Sequence, residues 1–507
     1  MPDYEKQPED QHEGFRRRAR AKPRMPALTI HRYGGRLIYF WFGMRLRALL
    51  KLFKRGHYSF TLNCIPDVLA LFLWVPWNSV LYRISEAKYR RAAEALPLDQ
   101  PPVFVIGHWR TGTTFLHDLF SVDPNLAYPT TFECFFPHHF LLTENTLPKI
   151  MKVLLPKKRP QDDVPVGFDR PQEEEFGMLM LGEGTPYLTH AWPRFGPADS
   201  DYLDFKGLTE ADKKKWADAY MWFYRRLSLK HGGKPLVMKT PANAARLKLL
   251  TKLFPDARYI YLSRNPLKVF PSTVKLWRAL YSVQGLHNPP YLDSWLDDYV
   301  LDMFARLTED YEEDRHVIPK GRLIELRYED LIKDPISILR DIYARLDIGD
   351  FAAAEAPMQA YLDAQKEHRV SEYEMPPELK RKVVDRLAPY IDRFGYREAV
   401  TRELAKGVPA QPVPEPQVAY SSPKPPSCNG RRGMRRGGNA DIVGREGVRD
   451  GDDGCGQHEG QWAGTLEKAQ GRAPLHPRLI CIRGSATVQR RRRMDIFVCG
   501  TMLRAKG

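Results

Sequence analysis

Arg110, Thr111, Gly112, Thr113 and Thr114 follow directly on an apolar run, Val103-Phe-Val-Ile106, and a glycine at 107. A strand that enters a turn bracketed by Gly107 and Gly112 and leaves as a helix at Thr113 brings backbone amides close to an anion. The free N–H groups and positive dipole end of that helix favour a phosphate-like group, and the threonine hydroxyls and Arg110 add donors around it. A second segment repeats the design: Arg258-Tyr-Ile-Tyr-Leu-Ser-Arg-Asn-Pro266 is an apolar strand running into a turn, with Arg264 at its end and Ser272 eight residues on. A helix beginning near Leu267 carries Ser272 about two turns along, within reach of the anion that Arg264 meets.

The spacing from Gly107 to Gly112 matches the glycines of a Walker A loop, G-x-x-x-x-G-K-[ST], but Thr113 stands where that loop has its lysine and the cation sits earlier, at Arg110. A P-loop kinase or nucleotide triphosphatase is therefore the competing reading, and a catalytically inactive membrane-associated scaffold with the same fold is a third.

The pair of motifs, Arg-Thr-Gly-Thr-Thr at 110–114 and Ser-Arg-Asn-Pro followed by Ser272, resembles the sulfotransferases that use 3′-phosphoadenosine 5′-phosphosulfate (PAPS), in their mainly bacterial branch. Phe168-Asp-Arg-Pro-Gln-Glu-Glu-Glu-Phe176, Lys234-Pro-Leu-Val-Met-Lys-Thr-Pro241 and Leu326-Arg-Tyr-Glu-Asp-Leu331 extend the likeness, which covers roughly Pro101 to Glu398. The resemblance implies a P-loop-like α/β fold, a parallel sheet flanked by helices. It assigns residues 110–114 to the 5′-phosphosulfate and Arg264 with Ser272 to the 3′-phosphate, and makes PAPS the co-substrate with no metal. It also implies that Arg110 and Lys239 face the transferring sulfuryl group, and that Glu133, in the distance range where related enzymes carry a catalytic glutamate, is the general base. The flanking Phe132, Phe135 and Phe136 would desolvate that carboxylate and raise its pKa. His138, His139 and His190 are rival bases, Glu173, Glu174 and Glu175 are further alternatives, and His117 reads as packed on the cradle helix. Arg369 is a late basic residue placed to reach the nucleotide.

Stepping outward, strands at 103–106, 235–238, 259–262 and 323–326 alternate with helices at 209–230, 244–253, 294–314 and 376–396, the alternation of a parallel sheet with crossovers. Residues 124–137 and 156–171 read as loops. On this reading residues 1–30 are a polar segment, 31–100 an amphipathic and apolar helical extension, 101–398 the sulfotransferase domain and 399–507 a disordered tail rich in Pro, Gly and Arg. In the extension, residues 37–54 carry a basic amphipathic pattern, and 65–84 are nearly uncharged but interrupted by Pro66, Pro76 and Asn78. That pair suits a peripheral membrane contact through residues 37–84 better than a span.

The net charge of +16 does not argue for nucleic acid, because half of it resides in residues 408–507, with 17 Lys plus Arg against 9 Asp plus Glu. Four of the six cysteines also lie in that tail, leaving Cys64 and Cys134 without disulfide or metal spacing. A cytoplasmic, membrane-associated enzyme is the expectation, with a small-molecule, lipid or glycan acceptor.

Overall fold

Every residue of strand β1, Val103–Ile106, is buried, as its unbroken apolar run requires of a strand covered on both faces. It lies inside a four-stranded sheet with β2 (Val237–Met238), β3 (Arg258–Ser263) and β4 (Leu323–Arg327), in the order β2-β1-β3-β4. All pairings are parallel: Val103 is level with Val237 and Arg258, and Tyr259 with Leu323. The computed structural model of the chain describes residues 39–151, 167–287, 295–365 and 375–405. Arg369, the polar segment 1–30, residues 156–166 of the expected loop and the tail beyond residue 405 fall outside the described residues.

The parallel order has one consequence for chemistry. Each strand's carboxyl end leads at once to a residue singled out by type or motif: β1 to Gly107, β2 to Lys239, β3 to Arg264 and β4 to Tyr328. Open α/β sheets bind ligands along that edge.

The helix expected at 209–230 runs Glu210–Lys230; Thr209 accepts from Asp212 N–H, and Trp216, Tyr220, Phe223 and Leu227 are buried. At 376–396 the chain forms two short helices, Pro377–Arg386 and Ala388–Arg393, and continues into a third, Arg397–Ala405. The loop expected at 124–137 contains a helical turn, Thr131–Phe135. The largest departure lies in the N-terminal extension. Pro66 and Pro76 do not break the apolar stretch: Ile65–Ala95 is one 31-residue helix, preceded by Leu46–Arg55. Pro66 sits in the first turn, where its missing N–H costs nothing. At the level of Pro76, tertiary bonds hold the helix: Asn78 Nδ2 donates to the carbonyls of Phe42 at 2.6 Å and Met44 at 2.9 Å, and Ser79 Oγ accepts from Leu46 N–H at 3.1 Å.

Candidate active site

The turn after β1 is built so that only glycine fits at two places. Gly107 has φ +141° and a Cβ there would stand 2.5 Å from the Leu262 carbonyl oxygen; Gly112 has φ +101° and a Cβ would meet the Tyr328 ring at 2.2 Å. Arg110, between them, also takes a left-handed conformation with φ 68°, an uncommon one for a residue with a side chain. The turn closes on itself through Thr111, whose Oγ1 donates to the His108 carbonyl at 2.7 Å. Helix Thr113–Ser121 then starts from Gly112 with no side-chain cap, so its first-turn amides are not satisfied by a capping side chain.

Arg110, Arg264 and Ser272 meet, although 154 and 162 residues separate Arg110 from the other two. Arg110 Nε donates to Ser272 Oγ at 2.9 Å, and Arg264 Nη1 donates to the Arg110 carbonyl at 3.1 Å. Ser272 is carried by helix Pro266–Gln284, capped by Asn265, whose Oδ1 accepts from Leu267 N–H at 3.0 Å. Arg264 is held from three sides. Its guanidinium lies 4.2 Å from the Tyr328 ring centre, its N–H donates to Tyr390 Oη at 2.9 Å, and that hydroxyl donates back to its carbonyl. Burial lowers its pKa, the direction for a cation poised to gain from an anionic partner. The Leu326–Leu331 motif supports this turn: Glu329 accepts from Asn265 N–H at 3.0 Å and from Tyr396 Oη at 2.8 Å.

At the neighbouring strand end Lys239 is 3% exposed. Its Nζ lies 2.6 Å from Glu173 Oε1. The other Glu173 oxygen accepts from the Tyr187 hydroxyl, and that hydroxyl accepts from Trp109 Nε1 at 2.7 Å. A chain of polar contacts thus links the cradle turn, through Trp109 and Tyr187, to the Glu173–Lys239 pair. Burial, then the Glu173 carboxylate, pushes the Tyr187 pKa well up, so its proton stays on the hydroxyl as a donor.

The acids that follow Glu173 are pinned as well. Glu174 accepts from Lys239 N–H at 3.1 Å and from Asn243 Nδ2 at 2.6 Å, with its pKa raised by burial. Glu175 forms a bidentate pair with Arg246 at 2.6 and 2.9 Å and accepts from Thr185 Oγ1 at 2.5 Å. The acidic run faces residues at and beyond the end of β2, among them Lys239 and Arg246.

Glu133 is engaged by its own helix start. Its backbone N–H donates to Thr130 Oγ1 at 3.2 Å while its Oε2 accepts from Thr130 N–H at 2.7 Å, a capping box, and its Oε1 is 3.0 Å from His231 Nε2. The carboxylate against Lys239 is Glu173. The sequence held the signal for this distinction, because Thr130-Thr-Phe-Glu133 is a capping-box pattern at a helix start.

The candidate histidines and His117 are buried and bonded to their surroundings. His117 Nε2 is 3.1 Å from the Val237 carbonyl oxygen, His138 Nε2 3.1 Å from that of Met180, His139 Nδ1 2.8 Å from Thr143 Oγ1, and His190 Nδ1 2.6 Å from the Tyr187 carbonyl oxygen. Around Glu173 the walls are aromatic: Tyr187 packs 5.0 Å from Phe176 and 6.2 Å from both Trp109 and Trp277.

Residues 101–352 match the model of the sulfotransferase family. A solved sulfotransferase, STF9 from Mycobacterium avium, aligns over 78% of this chain and 98% of its own with a TM-score of 0.54 at 19% identity, a likeness of fold. Two relatives, each named omega-hydroxy-beta-dihydromenaquinone-9 sulfotransferase Stf3, from Mycobacterium bovis and Mycobacterium tuberculosis, are 37% identical to it over 383 residues, 73% of this chain and 94% of theirs. Identity of that order, sustained over nearly the whole of those relatives, makes this chain a member of the sulfotransferase family.

Proposed function

We propose that the chain transfers a sulfuryl group from PAPS to a hydroxyl of a membrane-borne lipid, with an omega-hydroxylated menaquinone-type molecule as the first acceptor to test. The observation that carries the donor assignment is the meeting of Arg110, Ser272 and Arg264 beside an uncapped helix start. Two cations, a hydroxyl and free amides at adjacent strand ends suit a nucleotide with phosphates at both the 3′ and 5′ positions. PAPS supplies an activated sulfuryl group on a phosphate leaving group. Arg110, Thr111, Gly112, Thr113 and Thr114 hold the 5′ end, and Arg264 with Ser272 holds the 3′-phosphate.

Lys239 and Arg110 supply positive charge where negative charge grows on the leaving phosphate, in a site that excludes much of the water and so strengthens the interaction. Glu173 is our choice of general base. It is held by Lys239 Nζ and the Tyr187 hydroxyl, and its helix starts at Glu174, so its position is set before an acceptor arrives. Glu133 remains the alternative from sequence, with its carboxylate engaged as a helix cap. The aromatic wall of Trp109, Phe176, Tyr187 and Trp277 suits the apolar body of a lipid whose hydroxyl reaches Glu173. Cys64 and Cys134 are buried and not disulfide-bonded, in keeping with the cytoplasmic side of a membrane.

The test is transfer of labelled sulfate from PAPS to a hydroxylated menaquinone in detergent, with the unhydroxylated lipid as control. Label on the hydroxylated lipid alone supports the proposal; no label on either lipid, with PAPS binding intact, removes the acceptor assignment.

A further inference from the structure

The helix Ile65–Ala95 presents two different faces. One is locked to the rest of the protein: Val68, Leu71 and Val75 are buried, Asn78 holds two backbone carbonyls of the preceding segment, and Glu86 pairs with Arg226. The other carries Ile65, Leu69, Leu73, Trp77, Val80 and Ile84, each exposed, with Leu73 at 77% and Trp77 at 64%. Their spacing of three and four residues puts them in one row. The row is about 28 Å long at 1.5 Å per residue. An exposed apolar row of that extent marks an interaction surface.

Charge and position identify its partner. Across residues 39–95 there are nine Lys and Arg against three Asp and Glu. Arg83 precedes the row's last residue, Lys88 and Arg91 follow it, and Lys51, Lys54 and Arg55 lie on helix Leu46–Arg55, which packs beside it; all six are exposed. Apolar side chains bordered by cations fit a bilayer with anionic headgroups. The helix that carries the row is also coupled to the site, because its inner face holds the segment Phe40–Gly43. Phe40, just before these helices, packs 4.9 Å from Phe176 and 6.4 Å from His190, which both flank Tyr187.

We propose that this row lies in the plane of an anionic membrane as a monotopic anchor, and that it seats the aromatic wall of the site at the lipid surface. The helix does not span. Its inner face shares hydrogen bonds, an ion pair and buried side chains with the globular body along its length, and crossing a bilayer would carry those polar groups into hydrocarbon. The proposal draws its functional sense from the lipid-acceptor reading, but its test reads binding and not sulfate transfer.

The experiment is co-sedimentation of the full chain with phosphatidylglycerol vesicles and with phosphatidylcholine vesicles, using wild type, Leu73→Glu with Trp77→Glu, and Lys51→Glu with Lys54→Glu. Wild type should sediment with the anionic vesicles. The apolar double variant should bind at least about tenfold more weakly, since each large apolar side chain contributes about ten- to a hundredfold when buried. The charge variant should lose the preference for anionic over zwitterionic lipid. Unchanged circular dichroism and unchanged affinity for 3′,5′-bisphosphoadenosine keep a loss of binding from being a loss of fold. Equal sedimentation of wild type and the apolar variant overturns the proposal. So does resistance of the vesicle-bound protein to alkaline carbonate, which means a span, or a lipid-independent dimer that the apolar variant dissociates, which means a second copy covers the row. Failure of sulfate transfer with binding intact would count against the acceptor reading alone.

Discussion

Lys239 Nζ lies 2.6 Å from Glu173 Oε1, joining the end of β2 to the residue before helix Glu174–Leu181. The pair places a cation and a carboxylate at one point of the sheet's carboxyl edge, next to the turn that follows β1. Charge stabilisation and proton removal can therefore be served from a single contact, with Tyr187 and Trp109 fixing its geometry.

Replacement of the carboxylates separates their roles. Glu173→Gln should lower kcat by about 10²- to 10⁴-fold, the usual contribution of a general base, with donor affinity retained. Glu133→Gln keeps an oxygen that can accept from Thr130 N–H and should leave kcat near wild type. Steady-state kinetics at saturating donor checks both, and the opposite pattern returns the base to Glu133.

Tyr187→Phe removes the hydroxyl that bridges Trp109 to Glu173 without emptying the aromatic wall. Of the two hydrogen bonds lost with it, the one to Glu173 bears on the base, and a loss of about 0.5–1.5 kcal/mol there corresponds to about a two- to twelvefold effect. That loss should fall on kcat with the donor KM unchanged. A change in donor KM alone would mean that Tyr187 serves the cradle instead.

Arg264→Ala should raise the donor KM by about ten- to a hundredfold, since charge-assisted hydrogen bonds are worth about 1.5–3 kcal/mol. Ser272→Ala should raise it less, and the kcat of both should change little. Initial-rate kinetics with PAPS varied at fixed acceptor reads the effect; wild-type KM in Arg264→Ala would remove the 3′-phosphate assignment.

Acid should destabilise the fold more steeply than a surface-histidine protein of this size. Burial holds His108 and His117 at a pKa of about 3 and His139 and His190 at about 4, all below 6.5. These groups stay neutral when folded and take up protons on unfolding. Their contribution is fully present above about pH 6.5 and is lost as pH falls toward 4. Each adds at most about 1.4 kcal/mol per pH unit within that window. Urea unfolding between pH 7.5 and 5 measures the slope, and His117→Gln should make it shallower; a slope unchanged by that substitution contradicts the assignment for His117.

Much of this was legible in the sequence, for identifiable reasons. The cradle could be read because Gly107 and Gly112 occupy positions where a side chain has no room, so backbone geometry leaves a residue-level trace. Strands β1, β2 and β3 could be read because buried parallel strands have little polar alternation to obscure them; β4, at the sheet edge and carrying Glu325, could be read from the apolar residues of Leu323-Ile-Glu-Leu326. The contact of Glu173 with Lys239 could not, since it joins residues 66 apart through the packing of a helix start on a strand end. The continuity of Ile65–Ala95 through Pro76 was hidden for the opposite reason. A local rule that proline ends a helix was overridden by Asn78 and Ser79 bonding to the preceding segment, contacts that exist only once the tertiary structure has formed.

The most direct test of the central claim, that the turn after β1 and the turn after β3 grip one doubly phosphorylated nucleotide, is calorimetric titration with 3′,5′-bisphosphoadenosine, AMP and ATP. The account expects the bisphosphate to bind wild type at least about tenfold more tightly than AMP, because one more charge-assisted phosphate contact is worth about 1.4 kcal/mol or more. It also expects Arg264→Ala to erase that margin. Equal affinity for the bisphosphate and AMP, or a margin that survives Arg264→Ala, would contradict it.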